Sequence, residues 1–148
     1  MEKIIYINNA KQMIDLGERI GKVVEANMVI ALDGDLGAGK TTMTKGIAKG
    51  LGVEGIVNSP TFVIMKIYEG RLTLYHLDVY RTNDDEFELA EYFEMGGVSI
   101  IEWSHYIESL LPKGCLHIFI SNLGNDKREL TISWEDSEYD KVVDAICE

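Results

Sequence analysis

Residues 34–42, with the sequence GDLGAGKTT, place a lysine and two threonines at the end of a glycine-rich loop, directly after the apolar run MVIAL. The fixed positions of the phosphate-binding pattern G-x-x-x-x-G-K-[ST] are filled by Gly34, Gly39, Lys40 and Thr41. Glycines let successive backbone N–H groups turn toward one anion, and the following helix directs the positive end of its dipole to the same point. Lys40 adds a mobile positive charge, while the hydroxyl of Thr41 or Thr42 suits Mg²⁺ and phosphate oxygen. The segment therefore predicts a site for a di- or triphosphate.

Acidic residues end two further apolar runs, LYHLD at Asp78 and VSIIE at Glu102. Magnesium bound to a triphosphate needs a carboxylate, and open α/β sheets place their ligands at the carboxyl ends of strands. We therefore expect one of these acids to ligate the metal and the other to orient water or metal-bound water. The residues alone do not decide between the two acids, and an acid that ends a strand also occurs simply as the beginning of a turn.

Other residues allow both a structural and a chemical interpretation. The segment SPTF, residues 59–62, is either the entry into a strand or a switch-like element whose hydroxyls contact metal or γ-phosphate. His76 fits a half-buried strand histidine and Trp103 fits a core anchor, while Tyr80 and Arg81 fit packing and surface charge.

Hydrophobic patterning indicates the elements that would position these residues. KIIYI and MVIALDG are typical of strands, and Asn8 or Asn9 caps a helix between them. KTTMTKGIAKGLG predicts the helix after the loop, ending at Gly50 or Gly52.

The rest of the chain predicts two hairpins around a further strand. Residues 59–81 predict a hairpin in which Gly70 supplies a positive φ, and residues 115–134 predict a second hairpin. Between them VSIIEW predicts a buried strand followed by a short helix, and a terminal helix ends the chain. This alternation predicts one α/β domain over residues 1–148, a P-loop NTPase-like mixed β-sheet flanked by helices with interleaved antiparallel hairpins.

Composition and charge limit the classes of function. The chain has 148 residues, 46% hydrophobic and 26% charged, which suits one globular domain. Its 25 acidic and 14 basic residues give a net charge of −11, so binding to nucleic acid without a partner is not expected. Residues 83–94 are rich in acids and form either a solvated helix face or a surface for a basic partner. With no membrane span or secretory signal, we expect a cytoplasmic protein whose Cys115 and Cys147 are reduced thiols.

Taken together, GDLGAGKTT, SPTF, YHLDVYR and IEW, in this order and at these separations, resemble the TsaE family of bacterial tRNA threonylcarbamoyladenosine biosynthesis. The likeness runs from about Ile4 to Trp134. It implies a small cytoplasmic ATPase that uses ATP and Mg²⁺ and acts with the TsaD and TsaB proteins. Those proteins place a threonylcarbamoyl group on adenosine 37 of tRNAs that read ANN codons. ATP turnover would reset that complex, and tRNA would be reached only through it.

The resemblance also implies which residues would contact the nucleotide. Lys40 would hold the β- and γ-phosphates. Phosphate oxygens would be cradled by the amides of Gly37, Ala38 and Gly39. Gln12, near the start of the first helix, would contact the base, and Arg128 would approach the nucleotide from the other side.

For the metal and for hydrolysis, the same resemblance implies four residues. Thr41 and Glu102 would ligate Mg²⁺, and Asp78 would be the second acidic residue that hydrolysis needs. Thr61 would act as a switch threonine, and Trp103 would pack beside Glu102.

Three other classes of nucleotide-binding protein stay open from the residues. A small-molecule kinase would share the loop but normally needs several lid arginines, whereas this chain has only Arg19, Arg71, Arg81 and Arg128, all scattered. A GTPase switch would need an N-K-x-D clamp and a D-x-x-G element, which the sequence lacks. A nucleotide-binding scaffold without turnover is disfavoured by the two strand-ending acids.

Overall fold

The computed structural model describes residues 1–35, 37–55, 57, 65–79 and 87–147. Within these ranges the strands are β1 (Glu2–Ile7), β2 (Val29–Gly34), β3 (Met65–Tyr68), β4 (Leu74–Asp78), β5 (Val98–Glu102), β6 (Leu116–Gly124) and β7 (Lys127–Ser133). The α-helices are α1 (Ala10–Val23), α2 (Lys40–Gly50) and α3 (Asp140–Ile146). Short 3₁₀ helices span Phe87–Glu94, Ser104–Leu110 and Ser137–Tyr139.

The strands form one mixed sheet in the order β1-β7-β6-β2-β5-β4-β3. The four central strands β6, β2, β5 and β4 are parallel, while β1–β7, β7–β6 and β4–β3 are antiparallel pairs. Strand β5 is buried at every position, as expected for a strand covered on both faces. The predicted α/β architecture, a mixed sheet with flanking helices and interleaved hairpins, is confirmed. No helix in the described ranges is long and apolar enough to cross a membrane.

Helix α1 begins at an asparagine cap and lays one apolar stripe on the core. Asn9 has extended backbone angles, and its side-chain oxygen accepts a hydrogen bond from the backbone N–H of Gln12 at 2.8 Å. The buried positions Met13, Leu16 and Ile20 recur at helical spacing. Of the two caps that the sequence allowed, the structure therefore uses Asn9.

Glycines let α1 and α2 pack backbone against backbone. A Cβ atom added to Gly17 would lie 2.5 Å from the carbonyl oxygen of Met43, and one on Gly21, Gly46 or Gly50 would approach a carbonyl of the facing helix even more closely. The pairs are spaced G-x-x-x-G on each helix. This contact fixes the axis of α2, the helix that follows the glycine-rich loop.

The two predicted hairpins are present, with one correction. Gly70 lies in the β3–β4 turn but has no positive φ, so the conformational reason expected for it is wrong. A Cβ at Gly70 would lie 2.5 Å from the carbonyl oxygen of Leu51, so close packing is what excludes a side chain there. In the β6–β7 turn the residues with positive φ are Gly124, Asn125 and Asp126, all of types that tolerate it.

Candidate functional site

The glycine-rich loop joins the end of β2 to the start of α2 and depends on conformations that glycine favours. Gly34, Gly37 and Gly39 have φ values of +154°, +77° and +116°. A Cβ at Gly34 would also lie 2.6 Å from the carbonyl oxygen of Ile120 on β6. Gly39 is the residue that caps α2, and it has no side chain to occupy the space in front of the helix.

Lys40, the first residue of α2, is almost completely buried, with 5% of its surface exposed. Its Nζ donates a hydrogen bond to the carbonyl oxygen of Gly34 at 2.7 Å and lies 3.7 Å from the centre of the Trp103 ring. Burial lowers the pKa of Lys40, and nearby carboxylates, led by Glu102 and Asp78, oppose that shift. The lysine is thus held in place beside both candidate acids.

A cavity of about 350 Å³ brings most of the predicted phosphate and metal residues together. It is lined by Gly37, Gly39, Lys40, Thr41, Thr42, Asp78, Glu102 and Trp103. The two acids come from the ends of neighbouring parallel strands, where they are register partners. The position of both carboxylates at the carboxyl edge of the sheet agrees with the expectation from the sequence.

Glu102 is anchored from behind by a histidine. Only 3% of Glu102 is exposed, and its Oε2 lies 2.5 Å from Nε2 of His76. His76 itself is fully buried, so the expectation of a half-buried strand histidine is wrong. Side chains alternate between the two faces of a strand, so His76 and Asp78 lie on the same face of β4. This alternation was the signal in the sequence that His76 lies close to the site.

The turn after Glu102 is held by Asp33, a residue that the sequence did not single out. The backbone N–H and hydroxyl of Ser104 donate to the two carboxylate oxygens of Asp33 at 2.7 and 2.5 Å. Trp103, the residue between Glu102 and Ser104, has a φ of +60°, an uncommon value for an aromatic residue. The Asp33–Ser104 contacts hold the backbone next to Trp103, whose ring lies over Lys40.

Arg128 is brought to the loop from the β6–β7 hairpin. Its Nε donates to the carbonyl oxygen of Ala38 at 2.8 Å, and one terminal nitrogen lies 3.5 Å from the carbonyl oxygen of Gly37. A second, smaller cavity of about 100 Å³ lies at this end of the loop. It shares Gly37, Gly39 and Thr42 with the larger cavity and also contacts Asn9, Met13, Asp126 and Arg128.

Gln12 lines neither of these two cavities. The Oε1 of Gln12 accepts the backbone N–H of Asn8 at 2.7 Å, and its side chain lines a separate cavity beside Arg19 and Cys147. The backbone of Asn8, the residue before the helix cap, therefore engages the side-chain oxygen of the residue expected to contact the base. Thr61, with the rest of residues 59–62, lies outside the described residues, as do Tyr80, Arg81 and residues 83–86 of the acidic segment.

The donor set suits a magnesium ion that is shared with phosphates. The described residues contain no group of three or more His, Cys, Asp or Glu side chains able to hold a metal alone. Thr41, Asp78 and Glu102 nevertheless line one cavity beside the glycine loop. Mg²⁺ is commonly held by one or two carboxylates and completed by substrate phosphates and water, so these residues fit the ion.

Comparison with known proteins gives concordant matches over most of the chain. The family model for Threonylcarbamoyl adenosine biosynthesis protein TsaE matches residues 7–130. The tRNA threonylcarbamoyladenosine biosynthesis protein TsaE of Bacillus subtilis is 50% identical over 121 residues, which cover 80% of this chain and 77% of that protein. The protein of the same name from Treponema pallidum is 39% identical over 125 residues, covering 79% and 90%.

A solved structure agrees with these sequence matches. The crystal structure of YdiB from Bacillus subtilis has a TM-score of 0.87 and 38% identity, covering 99% of this chain and 95% of that one. The matched region contains the glycine loop and both strand-ending acids. The chain therefore belongs to the TsaE family of tRNA threonylcarbamoyladenosine biosynthesis proteins.

Proposed function

We propose that this protein binds ATP with Mg²⁺ in the cavity between the glycine loop and strands β4 and β5, and that it hydrolyses the bound ATP. The observation that carries the proposal is the convergence of Lys40, Thr41, Asp78 and Glu102 on one cavity of about 350 Å³. A basic group, a hydroxyl and two carboxylates beside a glycine loop form the set that triphosphate chemistry uses.

Each residue has a distinct role in the proposed site. Lys40 leaves the Gly34 carbonyl and binds the β- and γ-phosphates, while the amides of residues 37–39 bind phosphate oxygens. Thr41 and the deeply buried Glu102 hold the metal, which supplies charge neutralisation at the phosphates when bound. Asp78 is more exposed than Glu102 and orients the attacking water.

The nucleoside belongs at the smaller cavity, whose lining does not include Asp78. Met13 and Ile7 supply apolar surface there, and Arg128 supports the loop through Ala38. This assignment moves the proposed base contact from Gln12 to the residues around Asn9, because the Gln12 side chain is bound to the backbone of Asn8.

The family and the net charge together support a role with protein partners. The net charge of −11 disfavours direct binding to tRNA, whose affinity for proteins comes chiefly from Lys and Arg at its phosphates. We therefore propose that the protein acts in the cytoplasm on an assembly of TsaD and TsaB. ATP turnover resets that assembly between rounds of threonylcarbamoyl transfer to adenosine 37.

A reconstituted reaction tests this proposal. Purified protein, TsaD, TsaB and tRNA are combined with excess tRNA, and both phosphate release and modified tRNA are measured. We expect weak ATPase activity from the protein alone, higher activity with the partners, and repeated rounds of modification only when the protein is present. Lys40→Ala should strongly reduce the repeated rounds at ATP concentrations near the wild-type Kd, because it removes a charge-assisted contact of about 1.5–3 kcal/mol to the triphosphate, or about 10- to 150-fold in affinity.

Lys49→Ala is the matched control, since Lys49 lies on the same helix but is exposed and paired with Glu18 at 3.7 Å. It should behave like the wild type. Unchanged multiple-turnover modification with Lys40→Ala would contradict the proposal, and so would tight binding of tRNA by the isolated protein in a gel-shift assay at moderate salt.

A further inference from the structure

His76 lies in the core directly behind the proposed metal site, where none of the roles above uses it. In the parallel β4–β5 pair, His76 lies opposite Ile100. Glu102 follows Ile100 by two residues and therefore lies on the same face of the sheet. This diagonal arrangement brings its imidazole against the carboxylate, with 2.5 Å between Nε2 and Oε2. Both side chains are removed from water, so the hydrogen bond does not compete with solvent.

The chemistry of a ligating carboxylate fixes the direction of this hydrogen bond. A carboxylate that binds a cation has no proton of its own, so Nε2 of His76 is the donor. In the neutral ring Nδ1 is then an acceptor, and within the described residues it has no partner. A buried polar atom without a partner reduces stability. Since leucines occupy the buried positions 74 and 77 of the same strand, packing alone does not account for a histidine at 76.

We propose that His76 is a positioning residue, which holds Oε2 of Glu102 and thereby leaves Oε1 directed to the cation. This inference rests on the proposed function, because Glu102 is a metal ligand only there. No hydrogen bond from a described residue to Oε1 is present, so the hydrogen bond with His76 is the one that restrains rotation of the carboxylate group. Hydrogen-bond partners of metal ligands act in this way, and their loss typically costs about 10- to 100-fold in metal affinity or activity.

A metal-coupling measurement separates positioning from a general structural role. The affinity for a non-hydrolysable ATP analogue is measured by calorimetry in Mg²⁺ and again in EDTA, and the ratio of the two is compared among variants. His76→Gln keeps an N–H donor near the position of Nε2, whereas the shorter His76→Asn and the apolar His76→Leu do not. Ser99→Ala is the control, because Ser99 is buried on the same strand as Glu102 and its hydroxyl has no partner among the described residues.

We expect wild type, His76→Gln and Ser99→Ala to share one Mg²⁺/EDTA ratio. In His76→Asn and His76→Leu the ratio should fall about 10- to 100-fold. The affinity for the analogue should fall in Mg²⁺ and stay unchanged in EDTA. Equal ratios in all variants, or a loss in His76→Gln as large as that in His76→Asn, would overturn the positioning role. If His76→Leu does not fold, the Gln and Asn variants decide the question. A wild-type protein whose affinity is the same with and without Mg²⁺ would instead contradict the proposed metal site itself.

Discussion

The ammonium group of Lys40 lies 3.7 Å from the centre of the Trp103 ring and donates a hydrogen bond to the carbonyl oxygen of Gly34. The charge that would meet a phosphate is therefore held between a carbonyl and an aromatic face. A cation over an aromatic ring is worth about 0.5–2 kcal/mol and a hydrogen bond from a charged group about 1.5–3 kcal/mol. Negatively charged phosphate oxygens can offer Lys40 more than one charge-assisted contact, which replaces both of these contacts with neutral groups. Binding of ATP should therefore draw Lys40 away from the ring.

We expect ATP to change the fluorescence of Trp103, because the cation beside its ring moves. The chain has two tryptophans, and the other, Trp134, is buried and donates from Nε1 to Asp140 at 2.7 Å. Titration of Trp134→Phe with ATP should reproduce the wild-type change, and Trp103→Phe should show none. An equal change in Trp103→Phe would contradict the movement of Lys40.

Asp78→Asn should lower the rate of ATP hydrolysis by about 100-fold or more, because an amide lacks the negative charge and the second acceptor oxygen with which the carboxylate orients the attacking water. The affinity for ATP should stay close to the wild-type value, since Lys40 and the loop amides bind the phosphates. The measurements are phosphate release at saturating ATP with TsaD and TsaB, and calorimetry for binding.

The control for this prediction is Asp35→Asn. Asp35 contributes to the electrostatic field at Lys40, but it is exposed and does not line the cavity. It should hydrolyse ATP at close to the wild-type rate. Equal rates for Asp78→Asn and wild type would exclude Asp78 from the hydrolytic step.

Stability should fall at alkaline pH because of Cys115. Burial raises the pKa of this thiol from 9.0 to about 11, so the unfolded chain loses the proton first. The raised pKa contributes stability that is complete below about pH 9 and is lost as the pH rises toward 11, and about two pKa units correspond to roughly 2–3 kcal/mol. Urea unfolding at pH 8 and pH 11 should show this loss in the wild type in excess of Cys115→Ala. Equal losses would contradict it, since Tyr139, whose pKa burial also raises, is present in both proteins.

Local sequence patterns predicted the strands and helices. They did not predict contacts between segments that are distant in the chain. The apolar run before Glu102, the asparagine cap at Asn9 and the glycine loop are each encoded within a few residues, and all three are present. The antiparallel pairing of β1 with β7 depends on segments at opposite ends of the chain, which no local pattern specifies.

The same distinction applies to the site. Lys40, Asp78 and Glu102 lie at strand or helix ends that the pattern located, and they line one cavity. The contact of His76 with Glu102 depends on the β4–β5 register, and the position of Gln12 depends on whether its side chain turns back to the backbone of Asn8. The four glycines between α1 and α2 look like ordinary helix interruptions until the two helices are placed together.

For substitution of those glycines by alanine, helix propensity and packing predict opposite changes in the free energy of unfolding. Alanine is favoured over glycine inside a helix by about 0.5–1 kcal/mol, so propensity alone would make Gly46→Ala or Gly21→Ala stabilising. In the structure, however, a Cβ at Gly46 would collide with the carbonyl oxygen of Ile14, and a Cβ at Gly21 with that of Ile47. Backbone atoms cannot rotate away as side chains do, so the helices must separate, at a typical cost of 1–3 kcal/mol or more.

We therefore expect Gly46→Ala to lower the thermal midpoint of unfolding, measured by circular dichroism, while Lys45→Ala on the exposed side of α2 changes it little. Because α2 begins at Lys40, a shift of this helix also displaces the start of the proposed phosphate site. The affinity for ATP should accordingly fall in Gly46→Ala even at temperatures where the variant is fully folded, and should be unchanged in Lys45→Ala. A Gly46→Ala protein that is more stable than wild type would show that propensity outweighs the contact and that the helices tolerate a wider separation.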